Sequence, residues 1–391
     1  MIMNKAIYIC AAMALSLSSC SSDETVDLAK EKGISFRSVV GLNTRAQNVT
    51  QDMLESNGMY VTTFDGNGNQ VYPETHYELN GGVWMAKPSQ SWKAYDKLSF
   101  VLTSHKLAEF NANYTLTTDK GADTYVTVEE EIPDQKDFLV AHLTDVSKTD
   151  GSVSVSLKHV FSSIEIWAKN TNNAFKYKVK GIRLCGVNKT GCVSFTAVDA
   201  ICNGLVDTRT YELTYYDTPV TLNSDAQSLM GTAGNAILPP QAPLNEAYNI
   251  AQKWQLESPA DEKSTYISVL INLKAAAGAV IYPTGSTADN ETYGWVSVPV
   301  SYEWESGKKY VYTLDFSDGA GRVDPNDPGN DVDAGGKDPN KAQPVLGGLI
   351  KFGLKVTEWN KDDKNVDLKD GDKFGVTVDE WEDETNDATV K

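Results

Sequence analysis

The stretch "GSVSVSLKHVFSSIEIWA", residues 151–168, shows most clearly which kind of fold this chain adopts. Val153, Val155 and Leu157 alternate with serines, so that apolar side chains face one way and hydroxyls the other. A period of two residues is typical of a strand with one buried face. The stretch therefore predicts a half-buried β-strand, and helical periodicity is nearly absent from the rest of the chain.

Runs of the same kind recur along the chain, separated by Gly, Asn, Asp and Pro. They are rich in β-branched and aromatic residues, which are enriched in strands. Many short strands with turn signals between them favour an all-β chain built from β-sandwiches. We predict strands within these segments: 34–40, 59–65, 82–87, 97–104, 124–132, 137–143, 176–187, 210–216, 265–273, 293–304, 309–316 and 349–359.

The charge balance excludes one class of partner. The 391 residues include 53 acidic and 35 basic side chains, a net charge of −18. A surface this acidic repels phosphate backbones, so we predict no nucleic-acid binding.

Catalytic motifs are missing from the sequence: the four histidines are widely spaced, with no HExxH, and GxSxG is absent. The sequence thus predicts no enzyme, no cofactor and no metal site, and His159 is interpreted as a hydrogen-bonded structural residue.

The segment 318–344 is dominated by Pro, Gly and Asp and cannot build a core. Clustered oxygen ligands suit hard cations, so a calcium site is one interpretation of it. The spacing lacks the EF-hand register and its terminal Glu, which favours a solvated surface loop instead. The oxygen-bearing residues concerned are Asp324, Asn326, Asp327, Asn330, Asp331 and Asp333.

The N-terminal segment, residues 1–19, has the features of a secretory signal: Lys5 and then an apolar run too short to span a bilayer of about 30 Å. It ends in Leu17-Ser18-Ser19-Cys20, which resembles a lipobox. This predicts that the Cys20 thiol takes a diacylglycerol and that cleavage between Ser19 and Cys20 frees an amine for a further acyl chain, such as palmitate. An ordinary signal peptide with an incidental cysteine is the alternative. Ser21 favours the outer membrane, and the acidic run that follows resembles a surface-export tag.

Three cysteines remain once Cys10 leaves with the signal and Cys20 is lipidated. Cys185 and Cys192 flank the turn-rich segment "CGVNKTGC", so a disulfide that closes a hairpin is one prediction. Structural thiols are the other, and Cys202 is left over. The sequence leaves the pairing open.

Composition divides the mature chain. The polar segment 170–175 separates two blocks of strands, which predicts an N-terminal domain, 46–172, and a C-terminal domain, 173–360. An acidic tail, 361–391, follows. The segment "KFGLKVTEW", 351–359, recurs in that tail as "KFGVTVDEW", 373–381, with Phe374, Val376 and Val378 alternating on one face. Both copies suit the same kind of apolar groove; a chance match or an in-domain hairpin is the alternative.

Several motifs, taken in order, resemble the fimbrillins, the subunits of type V pili. They are the lipobox, an early strand with "NTRA" (43–46), "DFLVAH" followed by "VSLKHVFSSIEIWA", "AILPPQAP" (236–243), "YEWESGKKYVYTLDF" and "IKFGLKVTEW". The resemblance implies two tandem transthyretin-like Greek-key β-sandwich domains. It also implies a lipoprotein propeptide, 20–45, cut between Arg45 and Ala46. Arg37 competes poorly as the cut site because it lies inside the predicted strand.

The resemblance implies a non-enzymatic subunit of cell-surface fimbriae that supports adhesion. Its partners would be other fimbrial subunits, the outer membrane through the lipid anchor, and host or bacterial surface ligands. Subunits would join by strand exchange, with Phe374, Val376 and Val378 as donor strand. Stalk, tip and anchor roles are left open, as are the ligand and the processing protease. The alternative is a monomeric surface lipoprotein that binds glycans through exposed tryptophans.

Overall fold

The computed structural model describes residues 33–39, 51–93, 95–110, 123–149, 151–187, 190–194, 211–241, 266–287, 289–300, 304–324, 327 and 343–358. In these described residues one α-helix, α1, spans Gln51–Asn57, and short 3₁₀ helices span Leu107–Phe110 and Ile132–Asp134. Within the described part of the chain, no helix has the length and apolar character needed to cross a membrane.

All other elements of the described chain are strands, and most fall where alternation predicts them. They are β1 Ser35–Val39, β2 Met59–Phe64, β3 Gln70–Asn80, β4 Val83–Ala86, β5 Lys97–Thr103, β6 Asp123–Thr127, β7 Leu139–Ser147, β8 Val153–Ser156, β9 Lys158–His159, β10 Ser162–Lys169, β11 Phe175–Val187, β12 Thr190–Ser194, β13 Tyr211–Thr221, β14 Gln227–Ser228, β15 Ala236–Leu238, β16 Tyr266–Ala275, β17 Val280–Tyr282, β18 Gly294–Pro299, β19 Lys308–Asp315, β20 Arg322–Val323 and β21 Lys351–Glu358. The predicted all-β class is confirmed.

The strands form a large first sheet and a second group of sheets in a sandwich-like arrangement. The first sheet has eight strands in the order β8-β1-β4-β3-β2-β5-β7-β9. The second group has the order β14-β10-β19-β21, with β15 also on β10, and the order β13-β11-β16-β18-β20, with β17 on β16. A two-stranded ribbon pairs β12 with β6. The finer prediction of two transthyretin-like Greek-key domains stays a prediction.

Two apolar cores follow from this arrangement. The first sheet packs Ile34, Phe36, Tyr77 and Phe100, with Leu54 of α1, into one core. The two sheets of the second group enclose another, to which β10, β11, β16 and β19 contribute alternate residues. Each core is built from the side of the strands that carries the apolar residues, as a period of two requires.

The stretch 151–168 is not one continuous strand. It forms β8 and β9 in the first sheet and then β10 in the second group, which it enters at Ser162. Val160 and Phe161 at the crossing are 1% and 0% exposed, and they pack with Phe138 and Ile237 in a third cluster. Buried on both sides, the crossing lacks the alternation of the flanking strands. The predicted boundary at 172/173 stays a prediction; among the described strands, those that pair with β10, which precedes this boundary, all follow it.

Candidate assembly site

The N-terminal strand β1 lies inside the first sheet and not at its edge. It runs antiparallel to β4, where Phe36 pairs with Trp84. On its other side it runs parallel to β8, where Phe36 pairs with Val153 and Arg37 with Ser154. The segment before the predicted cut at Arg45 therefore supplies an interior strand of the fold.

Burial at the start of β1 does not follow the alternation that a period of two predicts, because Ser35, between two apolar residues, is only 2% exposed. Ile34 and Phe36 are 1% and 0% exposed, whereas Arg37 is exposed. The Phe36 ring meets Tyr77 at 5.5 Å and Phe100 at 5.2 Å between ring centroids, both edge to face. Edge-to-face pairs at such distances add to the gain from apolar burial. Phe36 thus anchors β1 in the first core.

Polar groups fix the start of the strand. The Ile34 amide donates to the Gln90 carbonyl oxygen at 2.7 Å, and the Ser35 hydroxyl donates to Ser152 Oγ at 3.0 Å. The Tyr77 phenol donates to Gln90 Oε1 at 2.9 Å. Burial raises the pKa of Tyr77 above its usual range, so this phenol keeps its proton as donor. The fixed donors and acceptors set the register of β1.

Strand β8 depends on β1. Within the described chain its only strand partner is β1, so β8 reaches the rest of the first sheet through that strand. Its Val153 and Val155 are 8% and 6% exposed and belong to the first core. Removing β1 would therefore leave an empty slot in the first sheet, with unpaired backbone groups along β4 and β8. The apolar side chains of the first core would form the floor of this slot.

The predicted site residues themselves lie outside the described chain. These are Ser19, Cys20, Arg45, Ala46, Phe374, Val376 and Val378. Arg37, the competing cut site, is inside β1 as predicted. Sequence reasoning did not single out Tyr77, Gln90 or Phe100. Alternation in residues 97–104 marks Phe100 as facing one side of a strand, but it carries no signal for contact with Phe36.

The calcium interpretation does not suit Asp324, the first residue of its cluster. The Asp324 carboxylate is fully buried and accepts hydrogen bonds from Arg183 at 2.6 Å and from Tyr266 at 2.9 Å. A carboxylate committed to a guanidinium is a poor cation ligand. No group of His, Cys, Asp and Glu in the described part could hold a metal. His159, as predicted, is hydrogen-bonded and buried, with Nδ1 2.7 Å from Asp137 Oδ2.

The disulfide between Cys185 and Cys192 is not formed. Cys185 is a buried thiol on β11, opposite Tyr266. Strand β12, which holds Cys192, leaves β11 and pairs with β6 instead. The turn-rich spacing predicted a hairpin between the two cysteines, but the partner of β12 comes from a distant part of the chain.

The tryptophans that the structure describes do not form the exposed set that the glycan-binding alternative requires. Of the five in the described part, Trp84, Trp92, Trp295 and Trp304 are at most 7% exposed, and Trp167 is half-buried. The Trp167 indole N–H donates to Glu165 Oε2 at 3.1 Å. Trp254, Trp359 and Trp381 lie outside the described residues. Burial of the first four follows from their place among core-facing strand residues.

Several solved structures are similar to this chain at low sequence identity. One is a protein assigned to cell adhesion from Parabacteroides distasonis (11% identity, 86% of this chain and 99% of that chain, TM-score 0.48). Another, from Bacteroides eggerthii, shares 14% identity; the match covers 84% of this chain and 96% of that chain, with a TM-score of 0.45. A third is the tip fimbrial protein Mfa3 from Porphyromonas gingivalis, with a C-terminal truncation. It shares 11% identity, and the match covers 83% of this chain and 99% of that chain, with a TM-score of 0.35.

No curated protein matches the sequence. The model of the fimbrillin-like family, however, matches residues 44–326, which is more than half of the 391. That span includes every strand from β2 to β20. The chain therefore belongs to the fimbrillin-like family.

Proposed function

We propose that this chain is a structural subunit of cell-surface fimbriae that is exported as a lipoprotein and joined to its neighbours by strand exchange. Family membership supports a fimbrial or adhesion role at the cell surface, in association with other fimbrial subunits. In the proposal, Cys20 carries the lipid and a protease cuts between Arg45 and Ala46. The single observation that carries the exchange step is the position of β1 between β4 and β8.

The cut separates β1 from the rest of the subunit. Residues up to Arg45 include the whole strand, and nothing but non-covalent contacts then retains it. Its release exposes the pocket that Phe36 occupied against Tyr77 and Phe100. Residues 1–45 carry five basic and four acidic groups, so their loss changes the net charge only from −18 to −19. The driving force is therefore the uncovered apolar slot and not a change of charge.

A strand from a neighbour would fill that slot by β-augmentation. An incoming strand can hydrogen-bond to both β4 and β8, and apolar residues at every second position would cover the floor. Phe374, Val376 and Val378 provide such a pattern near the C-terminus. Each donor strand leaves its own subunit, so the contact is head-to-tail and generates a filament.

Arg45→Ala tests the cut, with Arg37→Ala as the matched control. Both changes remove one arginine from the N-terminal segment, and the Arg37 side chain is exposed. We expect Arg45→Ala cells to display a folded, lipidated subunit without filaments, and Arg37→Ala cells to build normal filaments with Ala46 as the first residue. Electron microscopy and N-terminal sequencing of surface protein provide the measurements. Normal filaments that contain the Arg45→Ala subunit would show that the cut lies elsewhere.

A further inference from the structure

Four lysines lie together on the outer side of the sheet that contains β11 and β16. Lys176, Lys178 and Lys180 alternate along β11 with the core residues Tyr177 and Val179. Lys274 on β16 pairs directly opposite Lys176. We call these four residues the lysine face. The fold gathers them although the chain as a whole has a net charge of −18.

Within the described part of the chain, the lysine face holds more positive charge than the neighbouring carboxylates neutralise. Among the described residues, Glu291 is the one carboxylate in ion-pair contact with it, 2.9 Å from Lys178 Nζ and 2.7 Å from Lys274 Nζ. Hydrogen bonds from Lys274 and then Lys178 lower the pKa of Glu291 to about 2, so it remains ionised. Lys176 and Lys180 are exposed, and the Lys180 ammonium lies 5.5 Å from the centre of the Tyr293 ring. One carboxylate against four ammonium groups leaves an anion-attracting face.

The chain itself contains a segment whose charge is opposite to that of the lysine face. Residues 379–387, "DEWEDETND", hold six carboxylates and no basic residue. They directly follow the alternating run of Phe374, Val376 and Val378. Twenty residues, 359–378, separate this segment from the end of β21, and an extended chain of that length spans about 70 Å. The segment can therefore reach a neighbouring molecule.

We propose that the lysine face receives the acidic segment 379–387 of a neighbouring copy of this chain. This inference rests on the proposed function, because a donor strand that enters a neighbour brings the acidic segment with it. The contact is a second, electrostatic part of the joint between subunits, and it favours one direction of approach. Opposite charges on the two surfaces raise association rates much more than they raise affinity, and salt screens them.

Charge reversal tests the contact in the full, processable chain. The variant K176E/K180E changes two exposed lysines that have no carboxylate partner among the described residues. The control K97E/K148E makes the same change at exposed positions on and beside the first sheet. At low salt we expect K176E/K180E to slow filament growth on the order of tenfold, with no effect at high salt, and the control to grow normally. Adding E380K/E382K to the K176E/K180E chain should restore the rate.

Cross-linking identifies the partner. Two tagged copies, one with Lys180→Cys and one with Asp383→Cys, should form a disulfide-linked pair during assembly, whereas Lys97→Cys should not replace Lys180→Cys. Equal growth of wild type and K176E/K180E, or the absence of a disulfide-linked pair between the two tagged copies, would overturn the proposal. So would binding of a sulfated polysaccharide to the lysine face without any cross-link between copies. In each of these cases wild-type filaments would still form, whereas their absence would count against the proposed function itself.

Discussion

Replacing Phe36 by alanine tests whether β1 is held as the structure shows. The side chain is 0% exposed and meets two aromatic rings, at 5.5 Å and 5.2 Å. Truncating a fully buried phenylalanine costs about 3–5 kcal/mol, because transfer free energy is lost and a cavity remains. We therefore expect Phe36→Ala to lower the free energy of unfolding of the uncleaved, unlipidated precursor by about that amount.

Arg37→Ala is the control, since an exposed substitution on the same strand should change the free energy of unfolding by no more than about 0.5 kcal/mol. Urea unfolding followed by circular dichroism measures both. The chain that begins at Ala46 lacks residue 36, so precursors with either side chain should yield processed subunits of equal stability. A loss below about 1 kcal/mol in Phe36→Ala, or an equal loss in Arg37→Ala, would refute the packing of Phe36 against Tyr77 and Phe100.

Three further predictions concern the anchor, the tail and acid stability. Cys20→Ser should abolish incorporation of radioactive palmitate and leave the precursor uncleaved or released; equal labelling of mutant and wild type would exclude lipidation at this residue. Changing Val376 and Val378 together to Asp should leave a soluble, folded, cleavable monomer that cannot extend a filament, because two unpaired charges would enter an apolar slot; normal filaments in micrographs would show that the tail is dispensable. Glu291 has a folded-state pKa of about 2, below its ordinary 4.5, so its contribution to stability is present above pH 4.5 and is lost as the pH falls towards 2. Glu291→Gln should therefore make the melting temperature less dependent on pH between those values, and an unchanged dependence would show that the lysine contacts do not persist in solution.

Local pattern was sufficient to identify most of the described strands and the buried side of β8. Alternation located β1, β8, β11 and β16 to within a few residues, and it identified Val153 and Val155 as facing the same side. The reason is that a strand's two faces are determined by its own backbone, whatever lies beside it. The hydrogen-bonded role of His159 also followed from the sequence around it, as did membership of the fimbrillin-like family.

Pairing between distant segments was not accessible in the same way. Alternation says which side of a strand is buried but not which strand lies next to it, because backbone hydrogen bonds are the same for every sequence. The sequence therefore missed that β12 pairs with β6, and it left a Cys185–Cys192 bridge open beside the structural thiol that the structure shows at Cys185. The division of the chain at 172/173 stays a prediction, and in the described part the strand partners of β10, which precedes that boundary, all follow it.

The amino-acid sequence by itself determined the all-β class, the family and the inward face of β8, because each depends on patterns of residues that are close together in the chain. Only the tertiary structure decided that β1 lies between β4 and β8, with β8 dependent on it, and that Lys274 joins Lys176 on one face. These features depend on which distant segments pack together. The pairing of distant segments depends on how well they fill a common core and on the entropy cost of closing the long loops between them, and both depend on the whole chain.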